Sequence, residues 1–367
     1  MSLPMIVKTA NSRYLGSVIR PTRFRTVLKV MRNLPGAVAD YLYDSLRYFR
    51  FSSTFYYGTR ANRLSRITAM YHSVERGLAL PEPQLGFGAQ NIAYLVEAIE
   101  EYIRRFGVDS SLNPAAGALD AYLAFNKNNN VDPPNRAAIE SVLHKLKPIR
   151  SKEGDGGTIE ILRDSICSAT ANVTAEFFLR RYSIRQFSDE EVSTDDIDGA
   201  IVMAQKSPAV CNRQECRVYV VHDKKLMLKM LAIQGSQGFN HQVNKLLVVT
   251  NRLTAFYGMG ERNQCWIDGG MFAMSLVLGL HSKGLGTCCL NWSKSAPPDR
   301  AMRRLLKLPA SEVIIMLIAV GHIPAKLSVA RSLRQPLELA RRHIINASEI
   351  QSGGGVVQVD APEASST

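Results

Sequence analysis

Apolar residues recur at helical spacing along the first 150 residues of the chain. In the clearest stretch, 92–106, they fall every three or four positions: Ile92, Leu95, Val96, Ile99 and Ile103. This period places them on one face of an amphipathic helix. The same pattern predicts helices over 115–125 and 135–146. Because no stretch alternates as a half-buried strand does, residues 1–150 are predicted to form an all-helical domain.

Residues 36–80 are rich in aromatic and basic side chains, a combination that can bind single-stranded nucleic acid. One run in this region, however, follows helical spacing: Tyr41, Leu42, Ser45, Leu46 and Phe49. Packing of one helix face in a core explains this run without a ligand. We therefore expect no nucleic-acid partner.

The basic charge of the chain is concentrated at its amino terminus. The net charge is +13, and residues 1–80 hold 13 Lys and Arg against 3 Asp and Glu. A basic, weakly amphipathic segment can make a peripheral contact with an anionic membrane surface or partner. It can also dock on its own domain, which is the interpretation that we favour. Residues 1–20 lack the apolar run of a signal peptide, and a cytoplasmic protein is expected.

From residue 158 onwards, helical patterns alternate with short apolar runs. Strands are predicted over 216–221, 246–250, 285–290 and 313–320, and helices over 194–206, 223–233 and 261–282. Another long helix is predicted to end at Arg180 and Arg181. This alternation predicts a layered domain of helices and strands over 158–347. The Gly-rich stretch 151–157 is predicted to be a linker, and the polar tail 348–367 to be disordered.

The stretch 177–187 carries candidate binding chemistry. Arg181, Ser183 and Arg185 alternate along it, so in an extended segment their side chains leave from the same face. Guanidinium groups hold phosphate through paired hydrogen bonds, and a hydroxyl can donate or accept. Taken alone, these residues also fit a solvated basic helix end.

Three later segments supply further polar groups in a fixed order along the chain. They contribute the loop residues Pro208, Asn212 and Gln214, the strand residues Cys288, Cys289, Leu290 and Asn291, and the cations Arg331 and Arg334. The strand follows a glycine turn, where backbone N–H groups can point at a ligand. Each segment is common by itself, and their combination is specific.

The combination resembles the FMN-dependent nitroreductase family over about residues 160–345. The resembling motifs are Arg181-Tyr-Ser-Ile-Arg, Ser207-Pro-x-x-Cys-Asn-Arg-Gln, Asp268-Gly-Gly-Met-Phe-Ala-Met, Gly284-Leu-Gly-Thr-Cys, Ile318-Ala-Val-Gly and Arg334-Gln-Pro-Leu. The helical amino-terminal half resembles an extension of some bacterial members whose genes lie near surface-polysaccharide genes. The resemblance implies an α+β class with a three-layer α/β/α flavin fold, preceded here by the all-helical domain.

The resemblance also implies how the cations would contact FMN. Arg181 and Arg334 would hold its phosphate, together with Arg331. Ser183 would support the ribityl and phosphate region. Arg185 would lie near the pyrimidine edge, where the reduced flavin's negative charge develops and a fixed cation stabilises it.

Other residues would complete the site in a homodimer with FMN at the interface. Pro208, Asn212 and Gln214 would reach the FMN of the partner subunit, and the backbone of 288–291 would face the flavin ring. The helix with Gly269 and Gly270 would lie in the dimer core. In place of the Pro-Trp that usually follows the loop glutamine in this family, the chain has Glu215 and Cys216.

The expected activity is an FMN-dependent oxidoreductase of the nitroreductase type. NADH or NADPH would reduce the flavin, which would pass a hydride or electrons to a small organic acceptor by ping-pong exchange. No residue is predicted to act as a catalytic acid, base or nucleophile, and the spacing of the six cysteines predicts no metal site. The alternatives are a flavin oxidase or dehydrogenase of a specialised metabolite, and a non-catalytic interaction protein that uses the basic amino-terminal domain.

Overall fold

The computed structural model describes residues 23–55, 58–149, 156–170, 173–341 and 343, with the side chains of the first helix described from residue 30 onwards. The chain divides into two compact units, Met1–Ser328 and Val329–Thr367. The first unit contains every strand of the described residues. The second contains one short helix among its described residues, at Leu337–Ala340. It is labelled α12 because the helices are numbered in chain order.

Five helices make up the described part of the first 150 residues. They are α1 (Arg23–Phe51), α2 (Arg60–Leu78), α3 (Ala89–Phe106), α4 (Asn113–Asn128) and α5 (Arg136–Leu146). Helices α2–α5 enclose a hydrophobic core of their own, in which Leu95, Leu119 and Ile139 are fully buried. The helices predicted over 92–106, 115–125 and 135–146 are therefore confirmed as α3, α4 and α5. The division of the chain at 151–157 stays a prediction.

Helix α1 packs against the second half of the chain. Tyr48 is buried with Leu253, Phe256 and Val313. The expectation that Tyr41, Leu42, Leu46 and Phe49 pack in a core is wrong, because Tyr41 is 78% exposed and Leu46 is 64% exposed. The helical spacing was read correctly, but it marks the side of α1 that points away from the protein.

The long helix predicted to end at Arg180 and Arg181 is replaced by two short ones, α6 (Arg163–Thr170) and α7 (Ala175–Leu179). Val173 and Thr174, between them, are not helical, and Thr174 has an extended backbone. Both are β-branched, which lowers their helix propensity. The arginines therefore follow the end of a single-turn helix.

All four predicted strands are present and form one antiparallel sheet. They are β1 (Cys216–Val221), β2 (Lys245–Arg252), β3 (Leu285–Asn291) and β4 (Glu312–His322). The strand order is β1-β2-β4-β3, so β1 and β3 lie at opposite edges. In the centre, Leu247 pairs with Ile318. Residues of both faces are fully buried, among them Leu247 and Val248, which explains the continuous apolar sequence of the central strands.

Four helices accompany the sheet: α8 (Thr194–Ala204), α9 (Lys224–Gln234), α10 (Gln264–Ser282) and α11 (Ala296–Leu306). The fold is α+β, as predicted. Helix α8 begins at the predicted Thr194, and its N-cap is Ser193. Helix α11 was not predicted, since Pro297 and Pro298 read as loop residues, yet proline is well tolerated in the first helical turn.

Helices α8 and α10 cover one face of the sheet and lie unusually close together. A Cβ built on Gly279 of α10 would lie 3.1 Å from the carbonyl oxygen of Ala200 in α8. Glycine is therefore required at this crossing. None of the helices in the described parts of the chain is long and apolar enough to cross a membrane.

Candidate functional site

The segment 181–187 lies along the edge of the sheet beside β3. Ser183 forms a parallel bridge with Thr287, and the amide of Ile184 donates a 2.8 Å hydrogen bond to the carbonyl oxygen of Thr287. At its far end, the amide of Ser188 donates to the carbonyl oxygen of His322 at 3.0 Å. The segment is thus held in an extended conformation by the strands next to it.

Two buried side chains fix the orientation of this segment. Ile184 and Phe187 pack over two paired glycines, Gly286 of the edge strand β3 and Gly321 of β4. A Cβ on Gly321 would lie 2.7 Å from two Phe187 atoms, and one on Gly286 would lie 3.2 Å from Ile184. Glycine at these two positions therefore makes room for the segment to lie on the strands.

The alternation predicted for the three polar residues is present only around Ile184, because Tyr182, between Arg181 and Ser183, is itself 42% exposed. Ser183 and Arg185 are exposed and Arg181 is half-buried, whereas Ile184 between them is buried. Within the described residues, neither Arg181 nor Arg185 pairs with a carboxylate. The neighbouring Arg180, by contrast, forms an ion pair with Glu176. The outward side of the segment therefore carries two guanidinium groups that no described carboxylate neutralises, and Arg185 donates only a 3.5 Å hydrogen bond to the carbonyl oxygen of Ser183 among the described contacts.

These guanidinium groups lie close to the predicted ring-facing strand. Burial raises the pKa of the Cys288 thiol, and the charge of Arg185 opposes this rise. Burial and Cys288 raise the pKa of Cys289, which Arg181 opposes. Arg181, Ser183, Arg185 and the start of 288–291 are therefore brought together at one edge of the sheet. Because β3 is an edge strand, part of its backbone points away from β4 and can meet a ligand.

The loop 207–214 contains Pro208, Asn212 and Gln214 and has a strained backbone. Three of its residues have left-handed φ angles without being glycine: Cys211 (φ 49°), Asn212 (φ 54°) and Gln214 (φ 50°). Such angles cost free energy and persist only where surrounding contacts impose them, often at functional sites. The sequence contains no glycine in this loop that could have indicated this geometry.

The buried side chain of Arg213 anchors this loop. Its side chain is 1% exposed and forms a two-pronged ion pair with Glu261, with distances of 2.6 and 2.9 Å. It also donates to the carbonyl oxygens of Ala255 and Val210 and lies 4.7 Å from the ring centre of Tyr257. Arg213 is part of the Ser207 motif, but nothing in its sequence pattern distinguishes a buried anchor from a solvated arginine.

Beside this loop is a cavity of 410 Å³ between α8, α10 and β1, whose lining includes Pro208 and Gln214. The buried Asp268 of α10 also lines it, and accepts hydrogen bonds from the Val210 amide and the Gln264 side chain at 3.1 and 2.8 Å. Burial, with Asp268 nearby, raises the pKa of Cys216 to about 12, so the thiol in this cavity stays protonated. No local sequence pattern indicates this role of Asp268.

The candidate residues form two groups at opposite edges of the sheet. Arg181, Ser183 and Arg185 lie beside β3, whereas Gln214 precedes β1. Three strand spacings of about 4.8 Å separate the two edges, roughly 14 Å in all. One chain therefore does not bring Pro208, Asn212 and Gln214 to the arginines.

Arg331 and Arg334 belong to the second compact unit. Both are exposed, and the Arg334 guanidinium donates a 2.9 Å hydrogen bond to the carbonyl oxygen of Ser332. Their predicted contact with the FMN phosphate stays a prediction.

The Gly269-Gly270 pair is used in two different ways. A Cβ on Gly269 would lie 2.6 Å from the Ile315 side chain of β4, so Gly269 allows close packing on the sheet. Gly270 has nothing near its Cβ position, and it shares one side of α10 with the exposed Ile267, Met271 and Met274. This apolar side of α10 has no partner among the described residues. No cluster that could hold a metal ion occurs in the described part of the chain.

Comparison with known proteins identifies the carboxy-terminal half. Two overlapping segments, 179–252 and 234–322, match the sequence model of the Nitroreductase family. Residues 179–322 therefore resemble the nitroreductase family. The match includes the arginine segment, the strained loop and all four strands, which is the part that forms the two edge groups. It does not include helices α1–α5.

Nitroreductase-family relatives resemble about half of the chain. An "FMN reductase" of NAD(P)H from Bacillus subtilis is 26% identical over 187 residues, 46% of this chain and 74% of the relative. A protein from Archaeoglobus fulgidus, whose description names NADH dehydrogenase and NAD(P)H nitroreductase, is 24% identical over 144 residues, 39% of this chain and 80% of the relative. A solved FMN-dependent nitroreductase from Clostridium difficile is 22% identical, with a TM-score of 0.39 over 47% of this chain and 99% of that one.

Proposed function

We propose that this chain is an FMN-dependent oxidoreductase that uses NADH or NADPH to reduce a small organic acceptor. FMN would bind beside β3, held by Arg181, Ser183 and Arg185, and Arg331 and Arg334 remain candidate ligands of its phosphate. The names of the relatives from B. subtilis and A. fulgidus support this cofactor and reductant. We further propose a cytoplasmic location, in keeping with six cysteines that form no disulfide.

The observation that carries this proposal is the pair of free guanidinium groups beside an edge strand. Arg181 and Arg185 point away from the packed side of their segment, where Ile184 and Phe187 are buried. Neither arginine forms an ion pair with a described carboxylate, and a dianionic phosphate would supply the missing negative charge. The backbone of 288–291 offers polar groups next to them. These residues fit a ligand with a phosphate at one end and a polar ring at the other.

A homodimer would bring the two edge groups together. Pro208, Asn212 and Gln214 lie at the opposite edge of the sheet from the arginines of their own chain but could reach the FMN of the partner subunit. The exposed apolar side of α10 supports such an interface, because large unpartnered apolar surfaces mark contact sites. Phe178 and Leu179 of α7, also exposed, would add to it.

The bound flavin would supply the redox chemistry, accepting a hydride from the nicotinamide and delivering it to the acceptor in alternate half-reactions. The chain would bind and orient the reactants. Arg185 would place a fixed positive charge at one edge of the site, and the strained loop with its 410 Å³ cavity would shape the space for the acceptor. The Cys216 thiol remains protonated at neutral pH and would act as a packing group.

The test is the visible absorption spectrum of the purified chain, followed by anaerobic addition of NADH or NADPH. We expect two flavin bands that lose their intensity on addition of the nicotinamide. Bands that persist would indicate an oxidase or dehydrogenase with another electron donor. A colourless protein that does not take up added FMN would overturn the proposal.

A further inference from the structure

Helix α1 attaches to the rest of its unit through its polar side. Oδ1 of Asp40 accepts a 2.8 Å hydrogen bond from the amide of Ala296, and the hydroxyl of Tyr43 donates to Asp299 at 2.8 Å. Arg47 donates to the carbonyl oxygens of Ala310 and Glu312. Surface helices usually bury their apolar side. In α1 the polar side makes most of the contacts with the rest of the unit. Packing within this unit therefore does not account for the apolar side.

The apolar side of α1 faces outward along most of the helix. Its exposed residues recur every three or four positions: Met31, Leu34, Val38, Tyr41, Leu42, Leu46 and Phe49. Every residue from 30 to 39 is exposed, so this half of the helix has no packing partner within the described chain. We call these seven residues the α1 stripe. A contiguous exposed apolar stripe of this length is typical of a surface that binds a protein partner or a membrane.

The stripe continues into a groove between α1 and α11 whose rim is cationic. The groove has a volume of 700 Å³ and is lined by the apolar residues Ala39, Leu42, Leu46, Phe51 and Ala310, by Tyr43, and by Arg47, Arg50, Arg300 and Arg303. No carboxylate is among these lining residues. An apolar floor with guanidinium groups around it fits an amphipathic anion.

Two of the four arginines remain available to such a ligand. Arg47 and Arg303 are occupied by Asp299 and by backbone carbonyl oxygens. Arg50 and Arg300 are exposed and lie over the rings of Phe51 and Tyr43, at 5.5 and 4.8 Å from the ring centres. Neither pairs with a carboxylate in the part of the chain that the structure describes. Their positions on aromatic rings direct their charge to the groove.

We propose that the α1 stripe and the groove dock this protein on the surface of an anionic phospholipid bilayer. The stripe would lie among the acyl chains near the interface, and Arg50 and Arg300 would contact lipid phosphates. Helix α1 would lie in the plane of the membrane surface without crossing it. This inference does not depend on the flavin chemistry.

The charge of the amino-terminal segment favours a membrane over a second copy of the chain. The first 39 residues contain seven Lys and Arg and no Asp or Glu. Parallel pairing of two α1 stripes would bring the two basic ends of α1 together, which is unfavourable. An anionic lipid surface attracts each basic residue with about 1 kcal/mol, a factor of roughly five in affinity.

The experiment is flotation of the full-length protein with lipid vesicles. One set contains phosphatidylcholine alone and the other also contains roughly 30% phosphatidylglycerol. We expect binding to the anionic vesicles, little binding to the neutral ones, and weaker binding as salt increases. Arg50→Glu with Arg300→Glu should lower the affinity at least about 30-fold. The matched control, Arg76→Glu with Arg104→Glu, changes the net charge equally on exposed positions of α2 and α3 and should have a much smaller effect.

A second pair of variants tests the apolar stripe. Met31→Glu with Val38→Glu places charges on residues that are 66% and 48% exposed, so folding should be unaffected. Vesicle binding should be lost, whereas Leu80→Glu with Leu85→Glu, on other exposed apolar residues, should retain it. Equal binding to neutral and anionic vesicles, or no binding to either, would overturn the proposal. The proposal would also be overturned if the original chain formed an oligomer but bound no vesicles, and the Met31/Val38 variant lost that oligomer. The stripe would then contact a second copy of the chain.

Discussion

The hydroxyl of Tyr43 in α1 donates a 2.8 Å hydrogen bond to Oδ2 of Asp299, 256 positions later in the chain. The other oxygen of the same carboxylate accepts a 2.8 Å hydrogen bond from the indole of Trp292. Trp292 directly follows Asn291, the last residue of β3 and of the predicted ring-facing stretch. A single buried carboxylate therefore connects the docking of α1 with the end of the strand that borders the arginine segment.

Removing the Tyr43 hydroxyl should weaken the docking of α1. Tyr43→Phe leaves the ring in place but takes one donor from Asp299, so the free energy of unfolding should fall by about 1 kcal/mol. Urea denaturation measures this change. Tyr41→Phe, two positions away and 78% exposed, is the matched control and should leave the midpoint unchanged. Equal effects of the two variants would show that the Tyr43–Asp299 contact contributes no stability.

Arg181 and Arg180 are adjacent but should contribute differently to FMN binding. Loss of a charge-assisted contact to phosphate costs about 1.5–3 kcal/mol, so Arg181→Ala should weaken FMN binding by roughly 10- to 100-fold. Arg180 forms an exposed ion pair with Glu176, and Arg180→Ala should leave the FMN affinity within about twofold. Quenching of flavin fluorescence on titration gives both constants. A larger loss with Arg180→Ala would contradict the orientation that the segment has here.

Much of the fold could be predicted from the sequence, because it depends on local periodicity. The four strands were placed to within two residues at each end, since their apolar runs are short and bounded by polar or turn residues. Helix α3 was found through its regular apolar spacing. Helix α11 was missed because Pro297 and Pro298 in its first turn are typical of a loop. The break at Val173 and Thr174 was missed because two residues of low helix propensity give only a weak signal.

The candidate site was only partly predictable, because its geometry depends on contacts distant in sequence. The alternation of Arg181, Ser183 and Arg185 is a local pattern, and it holds at the buried Ile184 but not at the exposed Tyr182. The role of Arg213 depends on Glu261, 48 positions later, which no local pattern reveals. Periodicity likewise identified one side of α1 as apolar but could not tell whether that side faces a core or the outside. The orientation of α1 depends on which of its sides contacts Asp299 and Ala296.

Gly321 should not tolerate a side chain, because Phe187 occupies the space. Gly321→Ala would place its Cβ 2.7 Å from two atoms of Phe187, and overpacking of this kind costs about 1–3 kcal/mol. The displacement would also move the arginine segment, so FMN affinity should fall together with the melting temperature. Gly260→Ala has open space around its Cβ position and is the control for loss of a glycine. Unchanged stability of Gly321→Ala would mean that the segment is not held where it lies here.

The Cys216 thiol should react very slowly with alkylating reagents. Burial, together with Asp268, raises its pKa to about 12. At pH 8 only about one thiol in ten thousand would therefore be ionised, and the thiolate is the reactive form. Labelling with iodoacetamide and peptide mass spectrometry should show rapid modification of the exposed Cys167 and almost none of Cys216, with a rate that rises with pH up to about 12. Rapid labelling of Cys216 at pH 7 in the folded protein would indicate an activated thiol in the cavity.

The ion pair between Arg213 and Glu261 should be essential for the strained loop. Glu261→Gln leaves the buried guanidinium without its counter-charge, and breaking a buried pair in this way costs about 3 kcal/mol. The control is Glu176→Gln, which breaks the exposed pair with Arg180 and should change the free energy of unfolding by less than about 1 kcal/mol. Arg213 lies between Asn212 and Gln214, so we expect loss of its anchor to relax their left-handed φ angles and acceptor turnover to fall in Glu261→Gln. Urea denaturation and steady-state kinetics measure the two effects separately. A stable variant with normal turnover would show that the loop keeps its shape without this anchor.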